Sequence, residues 1–168
     1  MSYGAYLILV WLHLLASIIW IGGMMFFVLV LAPYTRRPEQ RDIAISLVRW
    51  TGMRFRTIGW ICIALLVPTG FFTLAFRGFG WRDLASESFW SGSFGQILAI
   101  KLSFVALILL FSVLHDFVIG PRASVLAQAD PNSPAAARLR RQAAWIGRFN
   151  LLVALIIVWF GVMLARGG

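Results

Sequence analysis

Charge is scarce in this chain, and negative charge scarcer still. Only 12% of the 168 residues are charged, with six Asp or Glu against fifteen Lys or Arg. Together with 61% hydrophobic residues and a mean hydropathy of +0.86, that excludes an ordinary soluble domain and indicates a polytopic membrane protein. Cysteine occurs once, so no intrachain disulfide and no CxxC metal motif can form. Cys62 lies inside an apolar run, where it reads as a small buried hydrophobe. Lysine also occurs once, at Lys101, and histidine twice, at His13 and His115. The net charge of +9 is therefore almost wholly arginine. Most of those arginines flank the hydrophobic runs, where they orient a membrane protein, and a nucleic-acid partner is excluded. No internal repeat of solenoid period is present.

What is abundant is long apolar sequence. Four runs, at about 5–33, 58–76, 96–120 and 143–165, use up the chain and predict one all-α domain over 1–168, a four-helix membrane bundle. The first run carries no Asp, Glu, Lys or Arg, and its roughly 29 residues make a helix of about 44 Å, longer than the ~30 Å hydrocarbon slab. It lacks a basic leader and is too long for a signal h-region, so a retained span is expected. Pro68 and Gly70 in the second run are tolerable where neighbouring helices or Thr hydroxyls satisfy freed backbone groups. Gly120-Pro121 closes the third run.

The loops set the expected orientation. Arg36, Arg37, Arg41, Arg49, Arg54 and Arg56 stand between runs one and two, and Arg122, Arg138, Arg140, Arg141 and Arg148 between three and four. The middle loop balances Arg77 and Arg82 with Asp83 and Glu87. Loops one and three should then be cytoplasmic, with both termini on the outer side of a bacterial inner membrane. Within about 39–52, Ile43, Leu47 and Trp50 fall at helical spacing, which predicts an amphipathic helix on the inner leaflet or an inward extension of the second span. Trp81 and Trp90, in the aromatic and glycine-rich middle loop, read as interfacial anchors.

Ionisable groups inside the spans are few, and depth sorts them. His13 and Lys101 fall near the outer third of the bilayer, with Ser17 and Trp20 on the His13 face at i+4 and i+7. His115 and Asp116 lie roughly 21 Å deeper than Lys101 at ~1.5 Å per residue, near Arg148 and Asn150 of the fourth span, with Arg54 and Arg56 as further candidates for that cluster. There an Asp116–Arg148 ion pair locking spans three and four is expected, with His115 beside it. Lys101, Ser112 and His115 share one helix face. The two histidines should be ~15–20 Å apart along the membrane normal, too far for one haem to take both.

The segments HLLASIIWIGGMMFF, RFRTIGWICIALLVPTG and FGQILAIKLSFVALILL resemble the copper-resistance protein D (CopD) family. The matching residues are His13, Trp20, Gly22, Gly23, Thr69, Gly70, Gly95, Leu98, Lys101 and Leu102. A more distant resemblance is to the HemJ-type protoporphyrinogen oxidases, through His13, Trp20, Lys101, His115, Arg148 and Asn150. That likeness implies a b-type haem on the first-span His with the Lys in the same site. The chain departs from it in a longer Lys101–His115 interval and in reading APYTRRP after the first span, departures that bear on the oxidase activity more than on the haem.

The expectation is a membrane protein holding a redox metal centre near the outer leaflet for electron transfer or haem handling, with non-catalytic roles ranked ahead of an enzyme. A b-type haem on His13, with Lys101 as second ligand or propionate partner, leads. Copper passage, as the CopD name implies, is the alternative, with His13, Met24, Met25, Cys62, Met163 and His115 as a sparse set of donors. A structural subunit of a larger membrane complex and a HemJ-like oxidase complete the set. The bilayer is the expected partner, with a respiratory complex or a second copy as further ones.

Overall fold

The computed structural model describes residues 2–35, 41–130 and 133–167. Arg36, Arg37, Glu39 and the first residues of the expected amphipathic segment lie outside them. Four helices are long and apolar enough to cross a membrane: Tyr3–Tyr34, Ser46–Phe76, Ser93–Leu126 and Pro134–Ala165. Each holds 31 to 34 residues, so each is roughly 47–51 Å long and tilts within or projects beyond the slab.

Local chemistry starts and stops them. Ser2 caps α1 (Tyr3–Phe26) by accepting from the Ala5 N–H. Ser133 does the same for α7 (Pro134–Ala165) through the Ala136 N–H, with Pro134 at the first helical position. The second-span helix α2 (Arg41–Phe76) ends at Gly78, whose φ of +93° is left-handed. The Gly78 and Phe79 N–H groups return to the Ala75 and Leu74 carbonyls, which closes a Schellman turn. Between spans two and three lie two short helices, α3 (Trp81–Leu84) and α4 (Glu87–Ser91). The third span is α5 (Ser93–Val113), continued to α6 (Gly120–Ala129).

Spans one and three both widen into a π-turn, at Phe27–Leu31 and Leu114–Ile119. Pro33 and Pro121 follow directly. A proline inside a helix has no N–H to give and its ring crowds the carbonyl four residues back, so a wider turn upstream relieves both.

The second-span helix begins well before the apolar run predicted at 58. Of the two alternatives for 39–52, the described part is a helical extension of the second span, and the side chains of Ile43 and Trp50 are exposed. Span one packs chiefly on span two, span three on span four, and spans one and four meet. Met24, Ile108, Val153 and Ala154 form the central core, with Trp20, Phe55 and Phe104 packed around it. Large apolar side chains such as Trp11, Ile18 and Trp159 are more than half exposed, as lipid-facing residues are in a bundle whose solvent is hydrocarbon.

One glycine is required by this packing. A Cβ at Gly23 would overlap the Phe55 ring, so Gly23 lets span one approach span two at that level, while Gly22 is exposed with open space beside it.

Candidate functional site

Two polar levels flank the central core. The level nearer the chain termini takes a residue from each span: His13, Thr69, Lys101 and Gly161. His13 Nδ1 is 2.9 Å from Thr69 Oγ1. The Thr69 hydroxyl has one proton, and it goes to the Leu65 carbonyl at 2.6 Å. Thr69 Oγ1 is therefore left to accept, and His13 Nδ1 to donate. On that assignment of the hydroxyl proton Nδ1 carries the hydrogen and Nε2 keeps its lone pair. Thr69 is buried, at 4% exposure, so the pairing is held within the bundle. Gly70 completes the seat, because a Cβ there would stand 3.4 Å from His13 Cε1.

Lys101 lies at the same level, in the neighbourhood of His13. Its Nζ is 3.6 Å from the position a Cβ would take on Gly161. It makes no hydrogen bond or ion pair among the described residues. No group of three or more His, Cys, Asp and Glu side chains that could hold a metal occurs among those residues. Ser17 and Trp20 are on the first span as predicted but turn to other work. The Ser17 hydroxyl donates to the His13 carbonyl at 2.8 Å, and Trp20 packs against the core and beside Gly59. Above this level Arg77 donates to the carbonyls of Leu164 and Ala165 at the last turn of the fourth span.

The second level is nearer the arginine-rich end and is organised by Asp116. Its Oδ2 accepts from Trp60 Nε1 at 3.0 Å and its Oδ1 from His115 Nδ1 at 2.9 Å. Arg56 donates to the Asp116 carbonyl at 3.1 Å and lies over the Phe117 ring. Asp116 thus ties span three to span two. The expected Asp116–Arg148 pair does not form; Arg148 lies over Trp145 of its own helix instead. Spans three and four are joined by Asn150 Nδ2 donating to Ser112 Oγ at 3.2 Å, both residues being buried. Asn150 Oδ1 has no hydrogen-bond partner among the described residues.

Spacing along span two separates the levels. Thr69 marks the first and Trp60 the second, nine residues or ~14 Å of helix apart. Between them Cys62 is buried, one heptad from Thr69 on the same face. Met24, eleven residues from His13 and on its face, is buried in the core, whereas Met25 is 40% exposed. Trp60 was not among the predicted site residues, Arg56 was expected in the inner cluster, and Thr69 entered only through the family likeness; the residue-level signal for Thr69 was a hydroxyl inside an apolar run at the depth of His13.

Comparison with known proteins gives one family. The family model described as copper resistance protein D matches residues 49–164. An uncharacterized protein of Aquifex aeolicus (strain VF5) is 29% identical over 158 residues, covering 93% of this chain and 92% of its own. No solved structure matches.

Proposed function

The chain belongs to the copper resistance protein D family, and from that premise we propose that it handles copper inside the membrane, with His13 Nε2 as a ligand. The observation that carries this is the Thr69 hydroxyl, which holds the His13 ring by Nδ1 and leaves the other nitrogen with its lone pair. Metal-binding histidines are commonly held this way, with a second group fixing the tautomer and the ring plane. Cu(I) also favours thiol and thioether donors, and the buried sulfurs of Cys62 and Met24 lie on the faces of Thr69 and His13. The arginine bias of the loops supports a bacterial inner membrane with both termini outside.

Lys101 favours a second reading. An ammonium near His13, with no carboxylate paired to it among the described residues, suits a metal that brings its own negative charge. A b-type haem on His13 Nε2, with a propionate on Lys101, meets that requirement.

One purification tests both. The detergent-solubilised protein is titrated with Cu(I) against a chromophoric chelator, and its reduced-minus-oxidised spectrum is recorded. Copper binding weakened at least tenfold in His13→Ala, without a haem band, supports the first reading. A b-type band lost in His13→Ala replaces it with the second. Neither copper binding nor a band removes both.

A further inference from the structure

Where span three ends and span four begins, a cleft of about 430 Å³ opens, lined by Ile119, Arg138, Arg141, Gln142, Trp145 and Ile146. Ile119 closes the π-turn of span three. The others come from one helix, and Arg138, Arg141, Gln142 and Trp145 follow the i, i+3, i+4, i+7 spacing that puts side chains on one face. Arg138 and Arg141 are exposed and make no hydrogen bond or ion pair among the described residues. Two guanidinium groups one turn apart repel each other, so the face is short of negative charge. Trp145 is 65% exposed and stands at the start of the apolar part of the helix, where interfacial tryptophans sit. The guanidinium groups lie ~6–10 Å farther out along the axis, and the isoleucines form the apolar wall.

The order of chemistry along the cleft is cationic fork, amphipathic ring, aliphatic wall. That is the order of a phosphodiester, a glycerol backbone and the first acyl carbons. We propose that this cleft seats the headgroup of an anionic phospholipid, with Arg138 and Arg141 on its phosphate and Trp145, Ile119 and Ile146 against its glycerol and upper chains. Guanidinium forks match phosphate oxygens in pairs, and basic pockets between membrane helices bind such headgroups. Arg148, over Trp145, extends the positive charge one turn farther in. A soluble phosphate would use the arginines and leave the apolar wall unfilled. The proposal does not depend on copper.

The test titrates phosphatidylglycerol, and separately phosphatidylcholine, into dodecylmaltoside micelles holding the full chain, and reads the midpoint of thermal unfolding. Phosphatidylglycerol should raise it saturably and phosphatidylcholine should not. Arg138→Gln with Arg141→Gln should raise the half-saturating phosphatidylglycerol roughly thirtyfold, about fivefold for each basic side chain. Arg166→Gln, at the other end of the helix, should leave it unchanged. If the glutamine pair does not fold, Arg138→Lys with Arg141→Lys keeps the charge, loses the fork and should shift it less, in the same direction. Equal responses to the two lipids, an unshifted response in the cleft variants, an equal shift in Arg166→Gln, or a midpoint raised as much by inorganic phosphate would each overturn the proposal.

Discussion

Thr69→Val is the sharpest perturbation of the first polar level. Valine keeps the branched shape of threonine in a site that is only 4% exposed, so packing changes little. What is lost is the oxygen that accepts from His13 Nδ1 at 2.9 Å and donates to the Leu65 carbonyl at 2.6 Å. Hydrogen bonds between membrane helices average ~0.6 kcal/mol and reach ~1.7 kcal/mol, so the bundle should lose about 1 kcal/mol and stay folded. The effect on ligand binding should be larger. With its orienting partner gone, the His13 ring can rotate and exchange tautomers, and loss of such a partner costs roughly 10–100-fold in metal affinity. Cu(I) competition on purified wild type, Thr69→Val, Thr69→Ser and His13→Ala reads this directly. Thr69→Ser, which keeps the hydroxyl, should bind within a few fold of wild type. Imidazole nitrogen NMR of the metal-free protein should show His13 protonated at Nδ1. A valine variant that binds copper as wild type does, or a His13 ring protonated at Nε2, would refute the tautomer argument.

Two further perturbations address the frame. Gly23→Ala places a methyl group inside the Phe55 ring and should destabilise the bundle by ~1–3 kcal/mol; adding Phe55→Leu should restore most of it, measured by unfolding in mixed micelles. Trp60→Phe keeps the ring but removes the donor to Asp116 Oδ2 and should cost ~0.6–1.7 kcal/mol. Asp116→Ala, which strips the partner from both Trp60 and His115, should cost more than Trp60→Phe in the same assay.

Much of the architecture could be read from the chain, because a bilayer makes hydropathy a measure of position. The four apolar runs and the arginine-flanked connections follow from what hydrocarbon rejects, but the stop expected at Gly120-Pro121 is not made: a π-turn upstream accommodates the proline and the helix runs on to Ala129. The start of the second span did not follow. Hydropathy measures the slab, whereas the helix continues outward wherever arginines can reach water, and it reaches back to Arg41. The sites were less legible for a related reason. Periodicity says which residues share a face but not which helix that face meets. Asp116 was expected to meet Arg148 of span four and instead accepts from Trp60 of span two. The placement of His13 and Lys101 at one depth depended only on rise per residue. The role of Thr69 needed the interhelical contact, since a threonine in a membrane helix can equally well bond only its own backbone.

The middle of the bundle constrains any mechanism that uses both levels. His13 and the Asp116 cluster are ~14 Å apart along span two, and between them Ile108, Val153 and Ala154 are packed to exposures of 2% or less, with Met24 closing the core at the arginine-rich end. Such a core offers an ion no water and no carboxylate. Passage at fixed geometry would need soft donors within it, and Cys62 and Met24 are the buried sulfurs available. Passage by rearrangement would need a place where the helices can yield, and the two π-turns at Phe27–Leu31 and Leu114–Ile119 lie on the arginine-rich side of that core. The polar level near the termini has no π-turn among the described residues; its one interruption is Pro68, which withholds a backbone N–H beside Thr69. Its Thr69 contact is made from a helix that stays α through Pro68, as suits a fixed binding position, while the side bearing Asp116 is built from turns already wider than an α-helix. Movement, where the function requires it, should therefore begin at the arginine-rich end.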